Sequence, residues 1–289
     1  MLVELSKVST IVTGGTPSTS VIEYWDGGDI PWLQSGCCQN CYVSEASKYI
    51  TKKGYDNSVT KMMPANTILI ALTGATAGKV GYLTFEACGN QSITGITPDE
   101  TKLLPKYLYY FLISRRDKTV SDCTGGAQPH ISQEYVKHIN IDLPSISKQN
   151  EIIRTLDSLI ELKAKEDLEI KLLNELIKSR FNEMFSAFPK VELSQISQII
   201  MGQSPESTAY NDDGIGLPFF QGKADYGEKY TVVKHYTKKW NKEAKRGYVL
   251  MSVRAPVGPV NIASTDCAIG ALTDISTYPL LASLFHFFV

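Results

Sequence analysis

Val3-Glu4-Leu5-Ser6-Lys7-Val8-Ser9-Thr10-Ile11-Val12-Thr13-Gly14-Gly15-Thr16-Pro17-Ser18-Thr19-Ser20 has a second copy 188 residues on: Val191-Glu192-Leu193-Ser194-Gln195-Ile196-Ser197-Gln198-Ile199-Ile200-Met201-Gly202-Gln203-Ser204-Pro205-Glu206-Ser207-Thr208. Eight of the eighteen aligned positions are identical without a gap, including Gly14 with Gly202 and Pro17 with Pro205. A further match follows. Ile68-Leu69-Ile70-Ala71-Leu72 corresponds to Val249-Leu250-Met251-Ser252-Val253, and both short apolar runs read as buried strands. Each enters a turn of glycine and small residues, Thr73–Val80 in the first copy and Arg254–Val260 in the second. The period is far too long for a solenoid, so it reads as the duplication of one domain.

Between the copies the character of the chain changes. Ser147 to Phe185 contains neither Pro nor Gly, and charged and apolar residues interleave at helical spacing: Ile152, Leu156, Leu159, Ile170, Leu173, Ile177 and Met184. This predicts one amphipathic helix about 55 Å long at 1.5 Å per residue. Pro144 and Ser145 precede it, Ser147 with Asn150 and Glu151 offers a cap-like opening, and Pro189 ends it. A helix of this length suits a spacer or a coiled-coil arm, whose apolar stripe needs a partner helix in the same chain or another.

At 289 residues and 43% hydrophobic, the chain has material for one large or two modest cores. Its net charge of -1 excludes polyanion binding by bulk charge, so any nucleic-acid surface must come from uneven placement. No run of eighteen apolar residues occurs, so no membrane span is expected, and the opening residues do not resemble a secretory signal. The expected compartment is the cytoplasm. Cys37-Cys38-Gln39-Asn40-Cys41 holds one C-x-x-C pair, but a structural zinc site needs four ligands and no second pair exists, so no metal is expected. Catalytic motifs are also missing. Gly74–Lys79 has three residues between its glycines and Val80 after the lysine, where a phosphate loop needs four and a hydroxyl residue. Neither a dinucleotide fingerprint nor a nucleophile elbow is found. The histidines are scattered, and His286 sits in an apolar run. The chain is expected not to be an enzyme.

Binding is better supported. Gln221 to Arg254 holds nine Lys or Arg against three acids, interleaved with Tyr226, Tyr230, Tyr236, Trp240 and Tyr248. Basic residues among aromatics suit contact with phosphates. Lys223, Lys238, Lys239 and Lys242 are the candidates, with Arg254 fixed at a turn for a bidentate guanine contact. A weaker counterpart in the first copy is Lys48, Lys52, Lys53 and Lys61. The stretch between the Pro17 or Pro205 turn and the apolar strand diverges between copies, which fits a shared scaffold carrying different reading loops. Gln34, Ser35, Asn90, Gln91 and Gln128 are the candidate base contacts of the first copy, and Lys79 is a further DNA-binding candidate there.

Taken in order, these motifs carry a family likeness. Gly14–Ser18, Gly28-Asp29-Ile30-Pro31-Trp32-Leu33, Gly74–Gly81, Asn90–Ile93, Gln128-Pro129-His130-Ile131-Ser132, Ile141–Pro144 and Gln149-Asn150-Glu151-Ile152-Ile153 resemble the recognition domain of the specificity subunits of bacterial type I restriction–modification systems. The resemblance implies an α+β chain with two repeated target-recognition domains of twisted β-sheets, joined by a long amphipathic helix. The expected domains are 1–145, a spacer helix over 146–188, and a second recognition domain over 189–289 that reads as incomplete. Such a subunit reads a split target in double-stranded DNA. Through its helix, here Ile152, Leu156, Leu159, Ile170, Leu173 and Ile177, it docks modification (methyltransferase) subunits, two of them, or associates with itself. Restriction subunits join through the complex. No cofactor is expected in this chain, S-adenosylmethionine, ATP and magnesium belonging to the partner subunits. In the family a second long helix closes the chain. Here the second copy stops at Phe285-His286-Phe287-Phe288-Val289, matching Tyr107–Leu112 of the first, so the chain reads as truncated. Two alternatives stand beside this: the recognition part of a fused restriction–methylation enzyme, and a degenerate protein–protein adaptor.

Overall fold

The structure, a computed structural model, describes residues 1–122, 130–254, 256–270 and 272–277. Gln128, Cys123, His286 and the Phe285–Val289 run lie outside the described residues. The chain divides into two compact units, Met1–Ala164 and Lys165–Val289.

The strands of the first unit are β1 (Leu2–Glu4), β2 (Ser9–Thr13), β3 (Ile30–Leu33), β4 (Cys41–Val43), β5 (Lys48–Ile50), β6 (Ile68–Ala71), β7 (Val80–Leu83), β8 (Cys88–Gly89), β9 (Ile93–Pro98) and β10 (Asn140–Asp142). Its helices are α1 (Lys52–Asp56), α2 (Pro105–Ser114), α3 (Arg116–Ser121), α4 (Gln133–Lys137) and the start of α5 (Ile146–Phe185). Three sheets form, in the orders β2-β9-β6-β7-β4, β5-β3-β8 and β1-β10. Strand β6 is the centre of the larger sheet, and its unbroken apolar run is explained by burial on both faces. Ile68 and Ile70 point into a core with Leu5, Val80, Ile96, Leu108 and Val136. Leu69 and Ala71 point the other way, against Leu33, Val43, Met63 and Leu83.

The second unit repeats this plan. Its elements are α6 (Leu193–Ile196), β11 (Ser197–Met201), β12 (Tyr210–Asn211), β13 (Leu217–Phe220), β14 (His235–Thr237), β15 (Glu243–Ala244), β16 (Val249–Ser252), β17 (Val260–Ile262), β18 (Cys267–Ile269) and β19 (Leu272–Thr277). The sheet β11-β19-β16-β17 matches β2-β9-β6-β7 strand for strand, and β14-β13-β18 matches β5-β3-β8. The registers agree as well: Ile68 faces Ile96 where Val249 faces Ile275, and Pro31 faces Tyr49 where Pro218 faces Tyr236. One pairing is not repeated. Val3 pairs with Ile141 through β1 and β10, whereas Val191 and Glu192 are in no strand among the described residues, and Val191 is exposed.

The glycine shared by the two copies has a steric reason in the first. A Cβ on Gly14 would lie 2.1 Å from the Gly89 carbonyl oxygen and 2.4 Å from that of Asn90, both backbone atoms that cannot step aside. Gly14→Ala is therefore expected to cost about 1–3 kcal/mol, the range for forcing atoms into packed space. Urea unfolding measures it, with Gly36→Ala as the control, since nothing lies within 4 Å of a Cβ there.

Helix α5 starts at Ile146, with Ser145 rather than Ser147 before its first turn: the Ser145 Oγ lies 3.4 Å from the Lys148 N–H and the Ser145 carbonyl accepts from Gln149 N–H at 2.9 Å. Its first turns dock on the first unit through Gln149, Ile153 and Asp157, four residues apart on one face. Gln149 is fully buried. Its Nε2 donates to the carbonyls of Lys102 (2.8 Å) and Pro144 (3.0 Å), and its Oε1 accepts from Leu104 N–H at 2.8 Å. Asp157 accepts from the Lys106 ammonium at 2.8 Å and from the Tyr110 hydroxyl. No helix among the described residues is long and apolar enough to cross a membrane.

Candidate nucleic-acid interface

In the first unit an open cleft of about 590 Å³ is lined by Thr16, Thr19, Trp25, Trp32, Gln34, Lys48, Tyr49, Asn90 and Gln91. Gln34 follows β3 directly, Lys48 and Tyr49 lie on its antiparallel neighbour β5, and Asn90 and Gln91 follow its parallel neighbour β8. Two indoles fasten the glycine-containing turn over these strands. Trp32 Nε1 donates to the Gly15 carbonyl at 3.0 Å and Trp25 Nε1 to the Ser18 carbonyl at 3.1 Å. The two rings meet edge to face with centroids 5.0 Å apart. The Lys48 ammonium lies 5.8 Å from the centre of the Trp25 ring, which orients a cation at the cleft mouth.

The second unit has a cleft of about 650 Å³, lined by Ser204, Gln221, Gly222, Lys223, Ala224, Ser252, Arg254 and Pro256. It opens beside the end of β13, the counterpart of β3. The buried Asp225 holds its wall, its Oδ2 accepting from the backbone N–H of Gln221 at 2.6 Å and of Gly222 at 3.3 Å. Ser252 Oγ donates to the Arg254 carbonyl at 3.0 Å and so fixes the turn that carries the guanidinium.

Of the residues singled out from sequence, Gln34, Asn90 and Gln91 converge on the first cleft, and Lys223 and Arg254 on the second. Ser35 begins a 3-10 turn next to Gln34 without lining the cleft. Lys79 is elsewhere, donating to Gln39 Oε1 at 2.7 Å. Lys238, Lys239 and Lys242 line neither cleft and stand exposed around β14 and β15. Their backbone is fixed: Lys238 N–H donates to the Ala209 carbonyl at 3.1 Å and the Lys242 carbonyl accepts from Ile269 N–H at 3.1 Å.

The basic stretch has fewer unpartnered ammonium groups than its composition implies. Lys245 is held by Glu243 at 3.0 Å and Asp266 at 3.2 Å, whose hydrogen bonds raise its pKa. Lys234 donates to the Ala224 carbonyl. In the first unit Lys52 pairs with Asp56 at 2.6 Å, and Lys53 pairs with Glu23, whose carboxyl it holds below its ordinary pKa by hydrogen bond and charge. Lys223, Lys238, Lys239, Lys242 and Arg254 form no ion pair among the described residues. Nor do the described residues bring together three or more His, Cys, Asp or Glu able to hold a metal.

Trp25, Tyr49 and Gln221 were missed in the sequence, and Lys48 was named there only within the weaker basic group of the first copy. A signal for them exists. Ile30-Pro31-Trp32-Leu33-Gln34 matches Leu217-Pro218-Phe219-Phe220-Gln221, inside the stretch read as divergent. The divergence therefore lies in the loops around this strand, not in the strand itself. On α5, Ile152 and Leu156 are half-buried, while Leu159, Ile170, Leu173 and Ile177 are 45% to 59% exposed.

A strand scaffold used twice, with a cleft beside Gln34 in one copy and beside Gln221 in the other and different side chains around each, defines a duplicated α+β module. Residues 1–176 match the type I restriction modification DNA specificity domain, and the chain belongs to that family. It is similar to a putative type I restriction enzyme MjaX specificity subunit of Methanocaldococcus jannaschii, 34% identical over 199 residues, which are 61% of this chain and 47% of that protein. It is also similar to the type I restriction enzyme EcoR124I/EcoR124II specificity subunit of Escherichia coli, 31% identical over 158 residues, 53% of this chain and 39% of that one. The matches thus span less than half the length of these curated relatives. Among solved structures, one from work on complex assembly and conformational transition of the type I R-M system superposes with a TM-score of 0.68 at 23% identity, covering 99% of this chain and 79% of the other. The HsdS subunit of Thermoanaerobacter tengcongensis superposes at 0.50, also at 23% identity, over the same shares. These two likenesses concern the fold.

Proposed function

We propose that the chain is a DNA-recognition subunit of a type I restriction–modification complex, in which each unit reads one half of a split duplex target and partner subunits carry out methylation and cleavage. The observation that carries the reading is that topologically equivalent strands, β3 and β13, are each followed by a glutamine that lines a cleft, with different side chains around the two. Recognition domains over 1–145 and 189–289, with a spacer over 146–188 that contains α5, fit this division of labour. The helix docks modification subunits through its exposed apolar residues, and S-adenosylmethionine, ATP and magnesium act on those partners. Membership of the family and the similarity to two named specificity subunits support the reading.

Selection of bound duplexes from a random pool, with the full chain and its modification subunits, tests it. A bipartite motif is expected. Exchanging residues 18–64, which supply Trp25, Trp32, Gln34, Lys48 and Tyr49, for the matching stretch of another family member should change one half of that motif and leave the other. A motif that survives the exchange intact refutes the role of the first cleft.

The unpaired lysines outside the second cleft predict a separate effect. Affinity falls with salt with a log–log slope of roughly 0.9 per phosphate neutralised. Replacing Lys238, Lys239 and Lys242 by Gln should lower that slope by up to about 2–3 and weaken all duplexes alike, because phosphate contacts position and do not specify. Titrations at two salt concentrations measure it, and an unaltered slope removes these lysines from the interface.

A further inference from the structure

Gln34 and Gln221 occupy one position of the duplicated scaffold. Strands β3 and β13 each pair in parallel with a short strand, Leu33 facing Gly89 and Phe220 facing Ile269. Each pairs antiparallel on its other side, Trp32 facing Lys48 and Phe219 facing His235. The backbone bonds just beyond also coincide. Asn90 N–H donates to the Leu33 carbonyl at 2.9 Å and Gly270 N–H to the Phe220 carbonyl at 2.9 Å. Gly15 N–H reaches the Gly89 carbonyl at 2.8 Å, and Gln203 N–H the Ile269 carbonyl at 3.0 Å. The first residue past the strand is glutamine both times.

Around that position the side chains differ. Lys48 in the first unit stands where His235 stands in the second, and His235 Nδ1 is engaged by Asp212 Oδ1 at 2.7 Å. Asn90 stands where Gly270 stands, and Ser35 and Gly36 where Gly222 and Lys223 stand.

The amides also differ in what they have left to offer. Asn90 Oδ1 accepts from Ser92 N–H at 3.1 Å, closing a turn, and Gln91 Oε1 accepts from the Thr16 hydroxyl at 2.5 Å. Gln34 and Gln221 are exposed and line their clefts, and neither side-chain amide has a hydrogen-bond partner among the described residues. A free primary amide presents one donor and one acceptor side by side, the pattern that matches N7 and N6 of adenine in the major groove.

We propose that Gln34 and Gln221 are the one base-reading position the two units share, each taking the adenine of an A·T pair with its bidentate amide, so that both halves of the target carry an adenine at the equivalent place and differ beside it. This rests on the reading of the chain as a DNA-recognition subunit and adds the residue and the base to it.

The test is motif selection from a randomised duplex pool with the full chain and its modification subunits, using wild type, Gln34→Ala, Gln34→Glu, Gln221→Ala and Gln221→Glu. Wild type should return one adenine common to the two halves. Each alanine variant should lose roughly 5- to 150-fold of discrimination at that base in one half only, the range for one bidentate contact. Each glutamate variant presents acceptors alone and should shift the same base toward cytosine, whose N4 amino group donates. Both side chains are exposed, so thermal unfolding should match wild type in all four variants. A wild-type motif without a common adenine, or alanine variants with unchanged preference, overturns the shared position and leaves the function standing. Failure of the wild-type chain to return any motif overturns the function and this inference together.

Discussion

Gln149→Leu is expected to destabilise the first unit by at least about 3 kcal/mol. Leucine nearly conserves volume, so the loss would come from hydrogen bonding and not from a cavity. The wild-type amide satisfies three backbone groups in a site with no solvent access: Leu104 N–H and the carbonyls of Lys102 and Pro144. Each group left unpaired in such a place costs about 1–3 kcal/mol. The same bonds tie the first turn of α5 to the loop before α2, and Asp157 repeats the attachment two turns on through Lys106 and Tyr110. Loss of Gln149 should therefore also free the start of α5, raising amide hydrogen exchange at residues 146–153. Urea unfolding measures the first effect. Asn150→Ala is the comparison, since the exposed Asn150 makes one bond within its own helix and should change stability by less than about 0.5 kcal/mol. Equal midpoints for the two variants would show that the buried amide does not hold the helix.

These contacts mark where sequence reading reaches its limit. The duplication, the central strands β6 and β16 and the 40-residue helix were legible because each is a local pattern: identity, an apolar run, or the absence of helix breakers. The face of α5 that docks was not. It runs through Gln149, Ile153 and Asp157, two of them polar, while the apolar stripe through Ile152, Leu156 and Leu159 lies one residue aside. Hydrophobic periodicity cannot report a docking face built on an amide and a carboxylate. The cleft was half legible. Gln34, Asn90 and Gln91 were chosen for their chemistry. Their convergence depends on parallel pairing between β3 and the two-residue strand β8, 55 residues on, and nothing local announces that. Trp25, Lys48 and Tyr49 reach the same cleft only through this sheet. The basic stretch erred in the opposite direction, because composition counts Lys245 and Lys234 while three-dimensional structure gives them partners.

Replacing Ile170 and Ile177 together by Asp should weaken association with a helical partner by at least about 100-fold while leaving the fold of the chain unchanged. Both side chains are exposed, at 59% and 45%, so neither contributes a buried core contact to lose. With Leu173 between them they follow the three- and four-residue spacing of a coiled-coil seam. Further toward the start of the helix the seam is broken by Lys163 and Glu166, which places the apolar contact in the later half of α5. Sealing each isoleucine against another helix removes its remaining apolar surface from water, a gain of about 1–1.5 kcal/mol apiece on a scale of 25 cal/mol per Å². An aspartate there forfeits that gain and adds the cost of burying a charge without a partner. The two sites together exceed about 3 kcal/mol, and each 1.4 kcal/mol is tenfold in affinity. Sedimentation of the chain alone separates self-association from a difference that needs modification subunits. In the first case the double variant should sediment as a smaller species than wild type, and in the second the two chains should differ only when the partner is present. Urea midpoints within about 0.5 kcal/mol of wild type would exclude unfolding as the cause. Unchanged mass in both settings would mean that this stripe meets no partner, and docking would then have to be sought on the half-buried Ile152 and Leu156 beside the first unit.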